Sequence, residues 1–158
     1  MATRAESTEI RLATAADAAA IAQLLHHFNI EFDAETPGVE ELRVNAGRLL
    51  EAGEMWVFLA GDGPDGLALL RLRGSVWRGE PEAYLQELYV APEHRGQGIG
   101  RALLEATMTK ARHAGASSID LATGEDDAAA RALYESVGFT NFEASPGRPR
   151  MLFYEREL

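Results

Sequence analysis

An α+β fold is predicted, with a mixed, mostly antiparallel central sheet and helices on both faces. Three features of the sequence predict it. Strand-like and helix-like spacings alternate in the order strand, two helices, three strands, helix, strand, helix, two strands. The three central strands are joined by short turn-forming segments, as antiparallel hairpins are. A glycine-rich segment joins the last of them directly to a helix.

Ser7 to Leu12 reads as a short strand, because Ile10 and Leu12 alternate with Glu9 and Arg11. Thr14 and Asp17 precede a helical run, Ala18 to Phe28, with Ala18, Ile21, Leu25 and Phe28 on one stripe. Thr36-Pro37-Gly38 is a loop. Val39 to Leu50 is a second helix with Leu42, Ala46, Leu49 and Leu50 inward, ended by Gly53. Met55 to Ala60 is almost continuously apolar, as a buried strand is. The turn formers Gly61 to Gly66 lead into a strand from Leu67 to Val76. Gly79-Glu80-Pro81 turns the chain into a strand from Ala83 to Val90, which Ala91-Pro92 stops.

A helix follows from about Gly98 to Ala114, with Leu103, Thr107 and Ala111 on one face and Gly115 at its end. Ile119 to Ala122 is a fifth strand. A last helix spans about Asp126 to Val137, with Ala129, Leu133 and Val137 on one stripe, Gly138 as its cap and Phe139 packing back. Thr140 to Phe142 and Met151 to Tyr154 read as terminal strands around the loop Pro146 to Pro149. No repeat or linker interrupts this order, so one domain over 1–158 is expected.

With 46% hydrophobic and 25% charged residues, the chain can build one ordinary core. It has no cysteine, which excludes disulfides, thiolate metal sites and a cysteine nucleophile. Its net charge of −10 disfavours nucleic acid as a partner, since phosphate neutralisation needs clustered Lys and Arg. No apolar run approaches the roughly 20 residues of a membrane span. Met1 to Ile10 carries Glu6 and Glu9 without an apolar stretch, so it is not read as a secretory signal. A cytoplasmic protein without membrane partners is expected by default.

Arg95-Gly96-Gln97-Gly98-Ile99-Gly100 lies between a strand and a helix. Glycines admit positive φ and close backbone approach, and the first-turn N–H groups of a helix have no intrahelical partner. With the helix dipole they make an anion site, to which Arg95 and Arg101 can add charge. Two nucleotide fingerprints fail. Gly100-Arg101-Ala102 lacks the Lys-Ser/Thr of a Walker A loop, and Arg101 stands where a dinucleotide motif needs its third glycine. Asp120 sits at ribose-binding spacing, but the strands before it form hairpins rather than an opening βαβ unit.

Leu85 to Gly100, and within it Val90-Ala91-Pro92, Arg95, Gly98 and Gly100, closely resembles the central motif of GNAT-type N-acetyltransferases. Ala130 to Phe139, with Leu133-Tyr134-Glu135 and Gly138-Phe139, resembles that family's second motif. The strong match covers roughly 83–142, and the order of elements agrees before it. The resemblance implies a GNAT-like fold and acetyl-coenzyme A as cosubstrate. The backbone of Leu88, Tyr89 and Val90 would then hold the pantetheine arm, and the amides of Arg95, Gly96, Gln97, Gly98, Ile99 and Gly100 the pyrophosphate, with Arg101 adjacent.

It further implies that Tyr134 protonates the departing thiolate, which suits a phenol with a pKa of about 10. Asp127, two turns before Tyr134, stands where the family usually has Asn contacting the coenzyme. An ionised carboxylate cannot donate that hydrogen bond, so Asp126 or Asp127 serves equally well as a helix cap. Glu87 is at a family-like position for a general base, acting directly or through water. Simple alternation places Leu85, Glu87 and Tyr89 on one strand face. Phe28, Asn29, Phe32 and Trp77 are candidates to line an acceptor cleft, although aromatic residues there equally serve a core. The acidic stretch His26 to Glu35 suits a cation. His26 and His27 lack metal-ligand spacing, and no metal is expected.

The expected reaction is acetyl transfer to a primary amine of a small molecule or peptide by direct attack in a ternary complex. A non-catalytic or regulatory acyl-coenzyme A-binding module, and transfer of a different acyl group, remain as alternatives. Dimers are common among similar proteins, which leaves a homodimer open.

Overall fold

The protein is described by a computed structural model over residues 8–62, 64–144 and 147–158. Residues 1–7, with Ser7 of the expected first strand and most of the segment read for a secretory signal, lie outside the described residues. So do Gly63 of the expected hairpin loop and Pro146 of the last loop. The chain forms two compact units, one ending at Leu121 and one spanning Ala122–Leu158.

In the first unit, strands β1 (Ile10–Leu12), β2 (Trp56–Ala60), β3 (Gly66–Arg73), β4 (Glu82–Val90) and β5 (Ser118–Asp120) form one sheet in chain order. The first three pairings are antiparallel and β4–β5 is parallel. Helices α1 (Ala18–Glu31), α2 (Val39–Glu51) and α3 (Ile99–His113) cover it. The register divides the side chains between two faces, because paired residues point the same way. Val57 lies opposite Leu69 and Leu59 opposite Leu67; these four form a core with Ala18, Ile21 and Leu24 of α1 and Ala46 of α2. On the other face Leu70 and Ala83 pack with Ala111 of α3. Leu103 and Thr107 of α3 are fully buried too, so the predicted stripe of α3 is the buried one.

Element ends differ from expectation where pairing stops. β3 ends at Arg73, three residues short of Val76, and β5 is shifted and ends at Asp120 rather than Ala122. α1 runs three residues past Phe28 to Glu31. Its buried side chains are Ala18, Ile21, Ala22 and Leu24, while Leu25 and Phe28 are half-buried against the same core. At the start of α1, Thr14 N donates to Asp17 Oδ2 at 2.8 Å, and Arg11 pairs with the same carboxylate at 2.7 Å. That hydrogen bond from Arg11 is the main cause lowering the Asp17 pKa to about 2.

In the second unit, α4 spans Ala128–Ser136. The expected stripe of Ala129, Leu133 and Val137 is corrected: Ala129 is exposed and Tyr134 is the buried residue, flanked by half-buried Ala130, Leu133 and Val137. The expected terminal strands do not form. Phe142 and Arg150 make one isolated antiparallel bridge, and Met151–Tyr154 are exposed without a ladder. Three local features oppose a ladder there. Thr140 Oγ1 accepts from Phe142 N, Ala144 takes a left-handed φ of 64°, and Pro149 has no N–H to donate.

Candidate active site

β4 carries an irregularity that decides which side chains meet. Leu70 pairs with Leu85, but Leu69 pairs with Glu87, so Gln86 is an extra, unpaired residue. The expected common face of Leu85, Glu87 and Tyr89 is therefore corrected. Glu87 and Tyr89 share the α1–α2 face with Leu69 and Leu67, whereas Leu85 points to the α3 face with Leu70.

Beyond the bulge β4 also loses its neighbour. β5 pairs with it only from Glu82↔Ser118 to Tyr84↔Asp120. Arg73 of β3 reaches across β4 to the Asp120 carboxylate and lies 3.8 Å from Glu82, which ties the strands together at that level. Asp120, at ribose-binding spacing in the sequence, is thus engaged in the sheet. The Ala91 N–H donates to Asp65 on the β3 side at 2.8 Å. By alternation, Leu88 and Val90 turn their N–H and C=O groups the other way, toward the side that β5 has left. This backbone edge runs directly into the glycine segment.

Pro92–His94 form a 3₁₀ turn, and Arg95 N donates to Pro92 O at 3.3 Å. Gly96 and Gly98 adopt φ of 73° and 82°, the left-handed region that favours glycine. A Cβ on either would meet nothing within 4 Å, so the space above them is open. The first intrahelical bond of α3 is Ala102 N to Gly98 O at 3.0 Å; the N–H groups of Ile99, Gly100 and Arg101 precede it. Ile99 is buried and anchors the helix start, while Gln97 is exposed. Open space, positive-φ glycines and the start of a helix together fit a pyrophosphate group.

The Arg95 side chain has a different occupation from the one expected. Its Nη1 lies 2.7 Å from Glu31 Oε1, its Nη2 donates to Glu31 Oε2 at 2.9 Å, and its Nε donates to the Val90 carbonyl at 2.9 Å. The Tyr89 hydroxyl donates to the same Glu31 oxygen at 2.9 Å. Arg95 holds the Glu31 carboxyl below its ordinary range, with Tyr89 assisting. Burial, then Glu31, pushes the Tyr89 phenol up to about 12. Nothing in the sequence singled out Glu31: the apolar stripe of α1 ends at Phe28, leaving Glu31 as one acid in an acidic stretch.

Glu87 is half-buried, and burial pushes its carboxyl above the usual carboxylate range while a hydrogen bond with Gln86 pulls the other way. A carboxylate with raised proton affinity is suited to accept a proton near neutrality. On the same face Phe28 stacks on Tyr89 at 5.0 Å, and Phe32 meets Phe28 edge-on at 5.2 Å. Asn29 Nδ2 donates to the Glu35 carbonyl at 3.4 Å. Trp77 is 88% exposed, and among the described residues no ring contact joins it to this aromatic group. His26 Nδ1 lies 3.3 Å from the Pro37 carbonyl.

In the second unit, Asp127 is the cap of α4. Its Oδ1 accepts from Ala130 N at 3.0 Å, and its ψ of 75° places it outside the helix. The two-turn spacing to Tyr134 therefore does not apply as it would within a helix. Tyr134 is 8% exposed, and its ring lies 5.9 Å from that of Phe139. Phe139 N donates to Tyr134 O at 3.1 Å, closing the helix end.

Comparison with known proteins gives the family. The family model described as "Acetyltransferase (GNAT) family" matches residues 19–139. An aminoglycoside N(6′)-acetyltransferase type 1 from Stenotrophomonas maltophilia is 37% identical over 144 residues, 88% of this chain and 90% of the relative. A ribosomal protein bS18-alanine N-acetyltransferase from Escherichia coli is 43% identical over 58 residues, 37% of this chain and 39% of the relative. A crystal structure from Arthrobacter sp. FB24, provisionally described as an acetyltransferase, superposes with a TM-score of 0.87 at 44% identity, covering 100% of this chain and 99% of the other. The chain belongs to the acetyltransferase (GNAT) family of enzymes.

Proposed function

We propose that this enzyme transfers an acetyl group from acetyl-coenzyme A to a primary amine on a cationic small molecule, by direct attack in a ternary complex. The observation that carries the donor side is the β4 edge of Leu88 and Val90 leading into the open Gly96–Gly98 cradle. In this reading Leu88, Tyr89 and Val90 hold the pantetheine arm, and the amides of Gly96 to Arg101 hold the pyrophosphate. When bound, acetyl-coenzyme A supplies the acetyl group and a thiolate leaving group. Glu87, directly or through one water, takes the proton of the acceptor's ammonium so that the amine can attack. The Tyr134 hydroxyl gives its proton to the departing sulfur, and the second proton of the attacking nitrogen, lost as the amide forms, restores the phenol. With no cysteine in the chain, no thiol can carry the acetyl group between two half-reactions.

The family match runs from 19 to 139, which supports reading the chain as one acetyltransferase domain. The acceptor class rests on the aminoglycoside-acetylating relative, which aligns over most of both chains. The relative that acts on a ribosomal protein aligns over little more than a third of either. The acidic, aromatic end of α1 is compatible with a cation.

A thiol-release assay with acetyl-coenzyme A tests this reading across aminoglycosides, polyamines, amino acids and peptide N-termini. Release with aminoglycoside-type amines, with intersecting double-reciprocal lines, is expected. Release only with peptides would replace the acceptor class, and parallel lines would exclude direct attack.

A further inference from the structure

The first residue of the cradle, Arg95, pairs its guanidinium with Glu31. We infer that Glu31 is a positioning residue of the donor site, acting through Arg95 to hold the cradle in its binding conformation. The inference rests on the acetyl-coenzyme A reading of that cradle.

Glu31 is the last residue of α1 and lies 64 positions from Arg95 in sequence. One Glu31 oxygen accepts from Nη2 and the other lies 2.7 Å from Nη1, a side-by-side pairing that fixes orientation as well as distance. A further donor, Nε, closes onto the Val90 carbonyl, and the guanidinium lies 5.7 Å over the Tyr89 ring. One side chain therefore straps the start of the glycine segment to the end of β4, and Glu31 straps both to α1. The strap matters because the next residues include two glycines at positive φ, which gain the most backbone freedom when untied. Holding them in place leaves less ordering for the coenzyme to pay for on binding. It also places Phe28, on the last turn of α1, and Phe32, just after its end, in fixed relation to the cradle.

The alternative role for Arg95, direct pairing with phosphate, predicts the opposite sign. There Glu31 competes with the coenzyme for the guanidinium, and removing its charge tightens binding.

The test is calorimetry with acetyl-coenzyme A on wild type, Glu31→Gln, Arg95→Gln and the double variant, with kcat and KM measured alongside and Tm recorded for each. Both single variants are expected to weaken coenzyme binding about fivefold to tenfold. The double variant should be no weaker than either single one, the KM for coenzyme should rise with kcat nearly unchanged, and Tm should stay close to wild type. Glu31→Gln binding as tightly as wild type, or more tightly, overturns the inference about Glu31. Wild type that binds no coenzyme overturns the donor reading itself and the inference with it.

Discussion

Leu85 and Glu87 point to opposite faces of β4, although two residues apart on a regular strand would share one. The single unpaired residue between them, Gln86, causes the reversal. It turns a carboxylate away from the α3 core and onto the face of Tyr89 and Phe28. It also falls just past the last residue that β5 pairs, so the same short stretch both opens the sheet and aims the acid.

Replacement of Glu87 by Gln should lower kcat about a hundredfold, the usual size of a lost general base. Its raised carboxyl fixes the pH dependence. Activity rises with pH as the group ionises and levels off above its folded pKa. Stability runs the other way: the group is neutral in both states below the unfolded value of about 4.3, and its stabilising contribution is lost as pH rises through the higher folded value. Glu87→Gln should therefore melt higher than wild type at pH 7 and match it near pH 3. A kcat profile of unaltered height and shape in the variant would remove Glu87 as the base.

Tyr134→Phe keeps the buried ring beside Phe139 and removes only the hydroxyl. Turnover should fall by about 10²–10⁴, while acetyl-coenzyme A binding measured by calorimetry stays within a few-fold. Unchanged turnover would leave Tyr134 as a packing residue.

Asp127 holds the start of α4 through its bond from Ala130 N. Asp127→Ala should cost about 1 kcal/mol of stability by the usual measure of a lost cap, and speed hydrogen exchange at the first-turn amides of α4. Asp127→Asn keeps the cap, so stability should be nearly unchanged. Large loss of coenzyme binding in Asp127→Asn, with the cap intact, would assign the carboxylate to the ligand instead.

The sequence was most readable where side-chain period and glycine geometry carry the signal. The buried stripe of α3 and the Arg95–Gly100 turn follow from Leu103, Thr107, Ala111 and the left-handed Gly96 and Gly98. The bulge at Gln86 was not readable, because strict alternation of Leu85, Glu87 and Tyr89 looks the same with or without an extra residue. Nor was the Arg95–Glu31 pair, which joins residues 64 positions apart and leaves no local pattern. Met151–Tyr154 has the composition of a strand, but composition supplies no ladder partner, and the segment stays exposed.

In the proposed function, coenzyme is held by the β4 edge and the glycine cradle. Hydrogen–deuterium exchange with and without acetyl-coenzyme A tests it most directly. Protection is predicted at the amides of Leu88 and Val90 and across Gly96 to Arg101, with little change in β1 and β2. Protection confined to other segments, or none at saturating coenzyme, would contradict the claim.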